Sequence, residues 1–209
     1  RFPVSDVRVF ASRNSTGVRG IRMTDGGDRL ISMAVLNALE VSRAEVRAYL
    51  KQRRAELRSD AEDELETVED DLEPVEGEEE DVELSSVRFM EMKANEQLLL
   101  TVAESGLGKR VISYEYFRQG RGGQGVIGIQ TSERNGELVG ALQVDEAREM
   151  VLISSSGTLV RTPVAEVSVL SRNTQGVRLI RLDEGDQLCG LDMLQSEDDV
   201  EDEVEVDVE

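Results

Sequence analysis

Four glycines surround one arginine in Gln119-Gly120-Arg121-Gly122-Gly123-Gln124-Gly125. Glycine reaches backbone conformations closed to other residues and lets a chain come close to a ligand. Arginine offers a planar guanidinium that grips phosphate oxygens through two hydrogen bonds. The combination suits contact with a polyanion, and it recurs along the chain. Arg13, Arg118, Arg121 and Arg172 precede the pairs Gly17-Val18, Gly125-Val126 and Gly176-Val177, and Arg19 and Arg178 follow those glycines by two residues. Lys109, Arg110 and Arg161 stand on return strands predicted after Gly106 and Gly157.

Covalent chemistry has few candidates. There is no His and a single Cys, so the commonest general base, Cys-based zinc sites and internal disulfides are excluded. Cys189 lacks a neighbouring base and is expected as a buried or half-buried thiol. The glycine-rich loop is not a nucleotide cradle, because such loops open a helix, whereas Val-Ile-Gly-Ile-Gln-Thr at 126–131 reads as strand. No catalytic residue and no metal site is expected. The N-terminus has no signal-peptide pattern, and no apolar run approaches the ~20 residues that span a bilayer; a cytoplasmic chain without membrane contact is expected.

The positions of these cations follow an internal repeat. An offset of 51 pairs Gly106 with Gly157, Arg110 with Arg161, Glu115 with Glu166, Gly125 with Gly176 and Ile129 with Ile180. Residues 1–36 match the second half of the same unit. Arg1, Pro3 and Val4 align with Arg161, Pro163 and Val164, and Ser-Arg-Asn-Ser-Thr-Gly-Val-Arg at 12–19 aligns with Ser-Arg-Asn-Thr-Gln-Gly-Val-Arg at 171–178, one residue out of step. A period of this size built from short strands predicts an all-β, propeller-like array with one four-stranded blade per repeat. Within a unit, Met150–Ile153 and Thr158–Arg161 read as a hairpin, and Asn135-Gly136 reads as a hairpin turn between strands at 126–129 and 138–144. Equivalent residues of stacked units fall on one edge, so the repeated arginines are expected to align there.

The formal charge of -20, taken as a sum, opposes a polyanion partner, but it is unevenly placed. Residues 40–92 sum to -12 and residues 196–209 to -9; residues 1–39 and 93–195, which hold the repeats, are close to neutral. The segment 37–94 is an insert. A helix is predicted over 40–58, with Ser42 and Glu45 as a capping box, Val46, Tyr49, Leu50 and Leu57 on one face, and Arg and Lys on the other. The run 60–83 has 15 acidic residues, too few apolar groups to fold, and reads as disordered, as does the tail 196–209. Repeats 1–36 and 95–195 then form a partial array within a longer chain.

Residues 133–182, 110–129 and 15–23 closely resemble repeats of the C-terminal region of the DNA gyrase A family, which includes the matching protein of topoisomerase IV, over about 140 residues. The resemblance implies a partial β-pinwheel whose basic edge wraps duplex DNA, in an ATP-dependent type II topoisomerase that introduces negative supercoils. It implies the gyrase B protein and a second copy of the gyrase A protein as partners in a heterotetramer. It also implies a nucleoid-associated setting, with ATP and Mg bound elsewhere in the whole enzyme. The family's tyrosine nucleophile lies in another domain, so Tyr114 and Tyr116 are expected to pack. The loop 119–125 resembles the family's Gln-Arg-Arg-Gly-Gly-Lys/Arg-Gly box with two replacements, but its flanks match a late repeat. The acidic tail would compete with DNA for the arginines. Two other readings stand beside this one: the corresponding C-terminal domain of topoisomerase IV, and a scaffold for protein partners.

Overall fold

Apolar-rich first strands followed by glycine turns make the two central hairpins. The computed structural model describes residues 1–24, 26–60 and 82–194. In the first repeat, β1 (Leu98–Ala103) and β2 (Leu107–Ile112) pair antiparallel, from Leu98 opposite Ile112 to Val102 opposite Gly108. The turn between them needs Gly106 at φ +75°, a left-handed conformation that costs other residues energy. In the second repeat, β4 (Glu149–Ser154) and β5 (Leu159–Pro163) form the equivalent hairpin, with Gly157 at φ +89°. Each hairpin ends in a short 3-10 turn, Ser113–Glu115 or Val164–Glu166.

A third strand of each repeat returns to the hairpin's first strand. β3 (Leu138–Val144) pairs with β1, and β7 (Leu188–Met193) pairs with β4; both carry one register irregularity, at Val102/Ala103 and at Ile153/Ser154. The fourth strand is contributed by the following repeat. β6 (Val177–Arg178) leaves the second unit and pairs with β2 of the first, giving the orders β3-β1-β2-β6 and β5-β4-β7.

Two strand expectations are corrected. Residues 126–129 form no strand, and the Asn135 turn is not a hairpin between them and β3. Asn135 is instead fully buried, accepting from the Ser132 backbone N–H and donating to the carbonyls of Gln130 and Gln175. The described residues of 1–36 contain a 3-10 turn at Val4–Asp6 and no strand. Val18 and Val126 hold the place of Val177 in β6, but β6 forms by pairing Val177 with Gly108 of the preceding unit, and no described strand pairs with 126–129. Val126 and Ile127 are exposed.

The insert folds onto the first sheet. Helix α1 (Arg43–Asp60) begins after Ser42, whose N–H donates to Glu45 Oε2 at 2.8 Å while its Oγ accepts from Glu45 N–H, the reciprocal pair of a capping box. A second helix, α2 (Ser86–Ala94), was not expected from the sequence; Ser85 caps it by accepting from the Arg88 N–H. Nearly every residue of β1 and all of β2 are buried, which requires cover on both faces. Tyr49 and Leu50 of α1 and Met92 of α2 join Leu100, Val102, Tyr114, Met150 and Leu152 in one core. Tyr49 stacks edge-on to Tyr114 at 5.4 Å, and its hydroxyl donates to Glu96, which Arg53 also holds. The insert leaves and rejoins the repeats at one point: Gln97 Oε1 accepts from Asn37 N–H at 3.0 Å and Gln97 Nε2 donates to Asn37 O at 2.9 Å. Most of the acidic run assigned to 60–83, and the tail 196–209, lie outside the described residues.

Gly176 and Gly125 are equivalent and both left-handed, at φ +84° and +80°. A methyl group on Gly176 would meet Gly108 O at 2.6 Å, whereas on Gly125 its nearest neighbour is the flexible end of Ile21 at 3.6 Å. Gly176→Ala is expected to cost about 2–4 kcal/mol and Gly125→Ala only about 1–2 kcal/mol. Urea unfolding monitored by circular dichroism checks the order; equal losses would refute the role given to the β2–β6 contact.

Candidate nucleic-acid interface

Successive repeats meet through backbone hydrogen bonds that recur in register. The Gln119 N–H donates to Arg1 O at 2.9 Å, and at the next junction Leu170 N–H donates to Arg110 O at 2.8 Å. The Arg22 N–H donates to Gly123 O at 2.8 Å, and its counterpart Gln130 N–H donates to Thr174 O at 3.0 Å. Arg1, Arg110 and Arg161 are the same position in three units, as are Arg22, Gln130 and Arg181. The loops that bear the arginines are therefore placed by main-chain bonds between units.

At the first junction, Arg121 is half-buried and its guanidinium donates to two carbonyls of the opposing segment, Asp6 O at 2.9 Å and Arg19 O. This brings the glycine-rich loop Gln119, Gly120, Arg121, Gly122, Gly123, Gln124 and Gly125 against residues 19–22; Gly122 N–H also donates to Gly20 O. Arg1 lies close by, its guanidinium pulled below the usual value by burial and further by the like charge of Arg118. Arg13 and Arg19 have exposed side chains; Arg118 is 56% exposed and pairs with Glu40 at 3.0 Å. At the second junction, Arg172 is half-buried and donates to Ile127 O, while Arg178 on β6 is exposed. Arg161, 64% exposed, is paired across its own hairpin with Glu149.

Two of the expected edge cations are corrected. Lys109 is wholly buried, and its Nζ donates to Ser171 O and Thr174 O at 2.9 Å, to Thr174 Oγ1 at 3.1 Å and to Arg172 O. Arg110 is 5% exposed; Nε donates to Val167 O, NH2 to Ala165 O, and NH1 pairs with Glu146. Both reach from β2 into the junction, where carbonyls of the next unit accept from them. Glu115, also buried, completes the clasp by accepting from Arg172 N–H at 2.6 Å. Lys109 and Arg110 thus hold up the loop that presents Arg172. Cys189 is exposed rather than buried, because β7 turns that position outward. Tyr114 packs, with its hydroxyl donating to Met92 O. The Arg and Lys residues along helix α1, to which the sequence alone gives no role, include Arg43, Lys51 and Arg58, all exposed. Among the described residues no helix is long and apolar enough to cross a membrane.

The family model described as DNA gyrase C-terminal domain, beta-propeller, matches residues 1–37, 97–145 and 148–192. The chain belongs to this family. The gyrase match stops at Asn37 and resumes at Gln97, the two residues that clasp each other at the base of the insert. The DNA gyrase A protein of Rickettsia bellii is 37% identical over 213 residues, covering 100% of this chain and 22% of the relative. The DNA gyrase A protein of Pseudomonas aeruginosa is 52% identical over 105 residues, covering 50% of this chain and 11% of the relative. The chain thus spans about a fifth or less of the length of these relatives. A solved structure of a DNA gyrase A C-terminal domain aligns with 28% identity and a TM-score of 0.45, over 47% of this chain and 33% of that one.

Burial pulls the Lys109 ammonium down to about 8, below the ~10.4 of an unfolded lysine. Between those values the unfolded chain binds more protons, so this group makes the fold more stable as pH rises through that window. Lys109→Met is expected to remove that dependence and, by removing the donor that Ser171 O, Arg172 O and Thr174 O share, to cost about 2–4 kcal/mol. Urea midpoints of both proteins at pH 8 and pH 10 test it; a variant as stable as the parent would refute the clasp.

Proposed function

We propose that this chain is a non-catalytic DNA-binding and DNA-wrapping part of a gyrase A protein. The observation that carries the proposal is the recurrence of one backbone junction, which holds arginine-bearing, glycine-hinged loops at equivalent places in successive units. Phosphate contacts need positive charge and close backbone approach, without base reading. Arg13, Arg19, Arg118 and Arg178 would meet phosphates directly. Arg121 and Arg172 would act from the loops they brace, and Arg161 would join them by exchanging Glu149 for phosphate. A path of cations repeated along a curved array favours bent duplex over straight.

In the full-length protein such a wrap of fixed hand would give direction to strand passage and so to ATP-dependent negative supercoiling in the cytoplasm. The gyrase B protein and a second copy of the gyrase A protein would be its partners, with ATP and Mg bound outside this region. The nine carboxylates of the tail 196–209 would compete with phosphate for the same arginines and tune the wrap.

Fluorescence anisotropy with a labelled duplex across a salt series tests the proposal. The logarithm of affinity is expected to fall linearly with the logarithm of salt concentration, by roughly 0.9 per phosphate neutralised. Arg178→Gln is expected to lower that slope by about 1 at unchanged fold. A folded chain that binds no duplex at low salt would overturn the proposal.

A further inference from the structure

Helix α1 lies in the insert, outside the residues matched by the family model. Its charges are sorted by face. At 3.6 residues per turn, Arg43, Arg47, Lys51, Arg54 and Arg58 fall within ~80° of arc and run ~22 Å along the axis. Glu45 and Glu56 of the same helix point elsewhere: Glu45 pairs with Arg88 at 2.8 Å, and Glu56 pairs with Lys93 at 2.8 Å and with Arg53 at 3.3 Å. Arg43, Lys51 and Arg58 are exposed, and Lys51 and Arg58 form no ion pair among the described residues. Like charges three and four residues apart weaken an isolated helix, so the ridge is not there for helix stability.

The ridge also continues the interface described above. Arg54 reaches Glu115 at 3.3 Å, Arg43 lies over the Phe117 ring at 5.6 Å, and Glu40, just before the helix, pairs with Arg118. The flank bearing the five cations therefore runs beside residues 115–118 and leads into the glycine-rich loop at 119–125. One strand of a duplex carries a phosphate every ~3.4 Å, so the ridge matches the length of about six or seven successive phosphates.

We propose that α1 is an accessory duplex-DNA contact that lengthens the path of the bound DNA beyond the repeats, with Arg43, Lys51 and Arg58 meeting phosphates. The inference rests on the DNA-binding reading of the chain. It assigns the insert a sequence-independent electrostatic role.

The test compares the full chain with Arg43→Gln/Lys51→Gln/Arg58→Gln by anisotropy on a labelled 40-base-pair duplex across a salt series, with Arg178→Gln as reference for the repeats. The triple variant is expected to bind about tenfold or more weakly at ~0.1 M salt, with a log–log slope reduced by about 2–3, and with helical circular dichroism unchanged. An unchanged slope, with Arg178→Gln still impaired, overturns the inference and leaves the function standing. If the parent chain binds no duplex, both fall.

A second background separates DNA from an internal occupant of the ridge. The 13 acidic residues of 61–81 are replaced by Asn and Gln, and the triple substitution is repeated there. A slope reduction that persists supports the DNA contact. A reduction that disappears shows that the loss came from releasing the acidic run, and overturns it.

Discussion

Everything in this molecule hangs on the main-chain bond between one repeat and the unit before it. Neither repeat completes its own sheet. β2 needs β6 from the following unit, and Arg110 O needs the N–H of Leu170. The spacing of the loops is thereby fixed by backbone geometry, which does not vary with side chain. Residues 126–127 have the sequence of β6, but no described strand pairs with them and they are exposed. Strand formation here is a property of pairs of repeats, as expected when stability resides in the interfaces of a stacked array.

The cations divide according to that junction. Two of them, Lys109 and Arg110, are consumed by it. Their heads sit among carbonyls of the 3-10 turn and the loop after it, whose oxygens face β2. A buried ammonium is tolerated only when fully bonded, and four acceptors within hydrogen-bonding distance meet that condition for Lys109. Arg13, Arg19, Arg118, Arg161 and Arg178 stay exposed, whereas Arg121 and Arg172 are half-buried and bonded to carbonyls across the junctions.

The repeat, the hairpins of β1–β2 and β4–β5, the capping box and the apolar face of α1 were all legible in the sequence, because each depends on local spacing. What could not be read depends on partners far along the chain. Nothing local distinguishes Lys109 from Arg121 as a surface cation; only the position of Ser171, Arg172 and Thr174 across the junction does. The Asn135-Gly136 pair carries the usual hairpin signal, yet Asn135 is held by Gln130 and Gln175 in a buried loop crossing. Helix α2 is short, and its apolar residues Phe89 and Met92 show too little periodicity to stand out beside the acidic run that precedes them. The arginines of α1 were visible, but their alignment with 115–118 emerges only once Arg54 meets Glu115.

The mutual grip of Asn37 and Gln97 has a consequence for how such arrays diversify. Because the chain departs and returns through one amide pair, fifty-nine intervening residues add nothing to the register of the units on either side. Lengthening a loop whose ends are already joined costs only logarithmically in entropy. The position therefore behaves as an insertion port. A module can be acquired, enlarged or discarded there without re-fitting the units on either side, and the new piece is delivered directly beside residues 115–118.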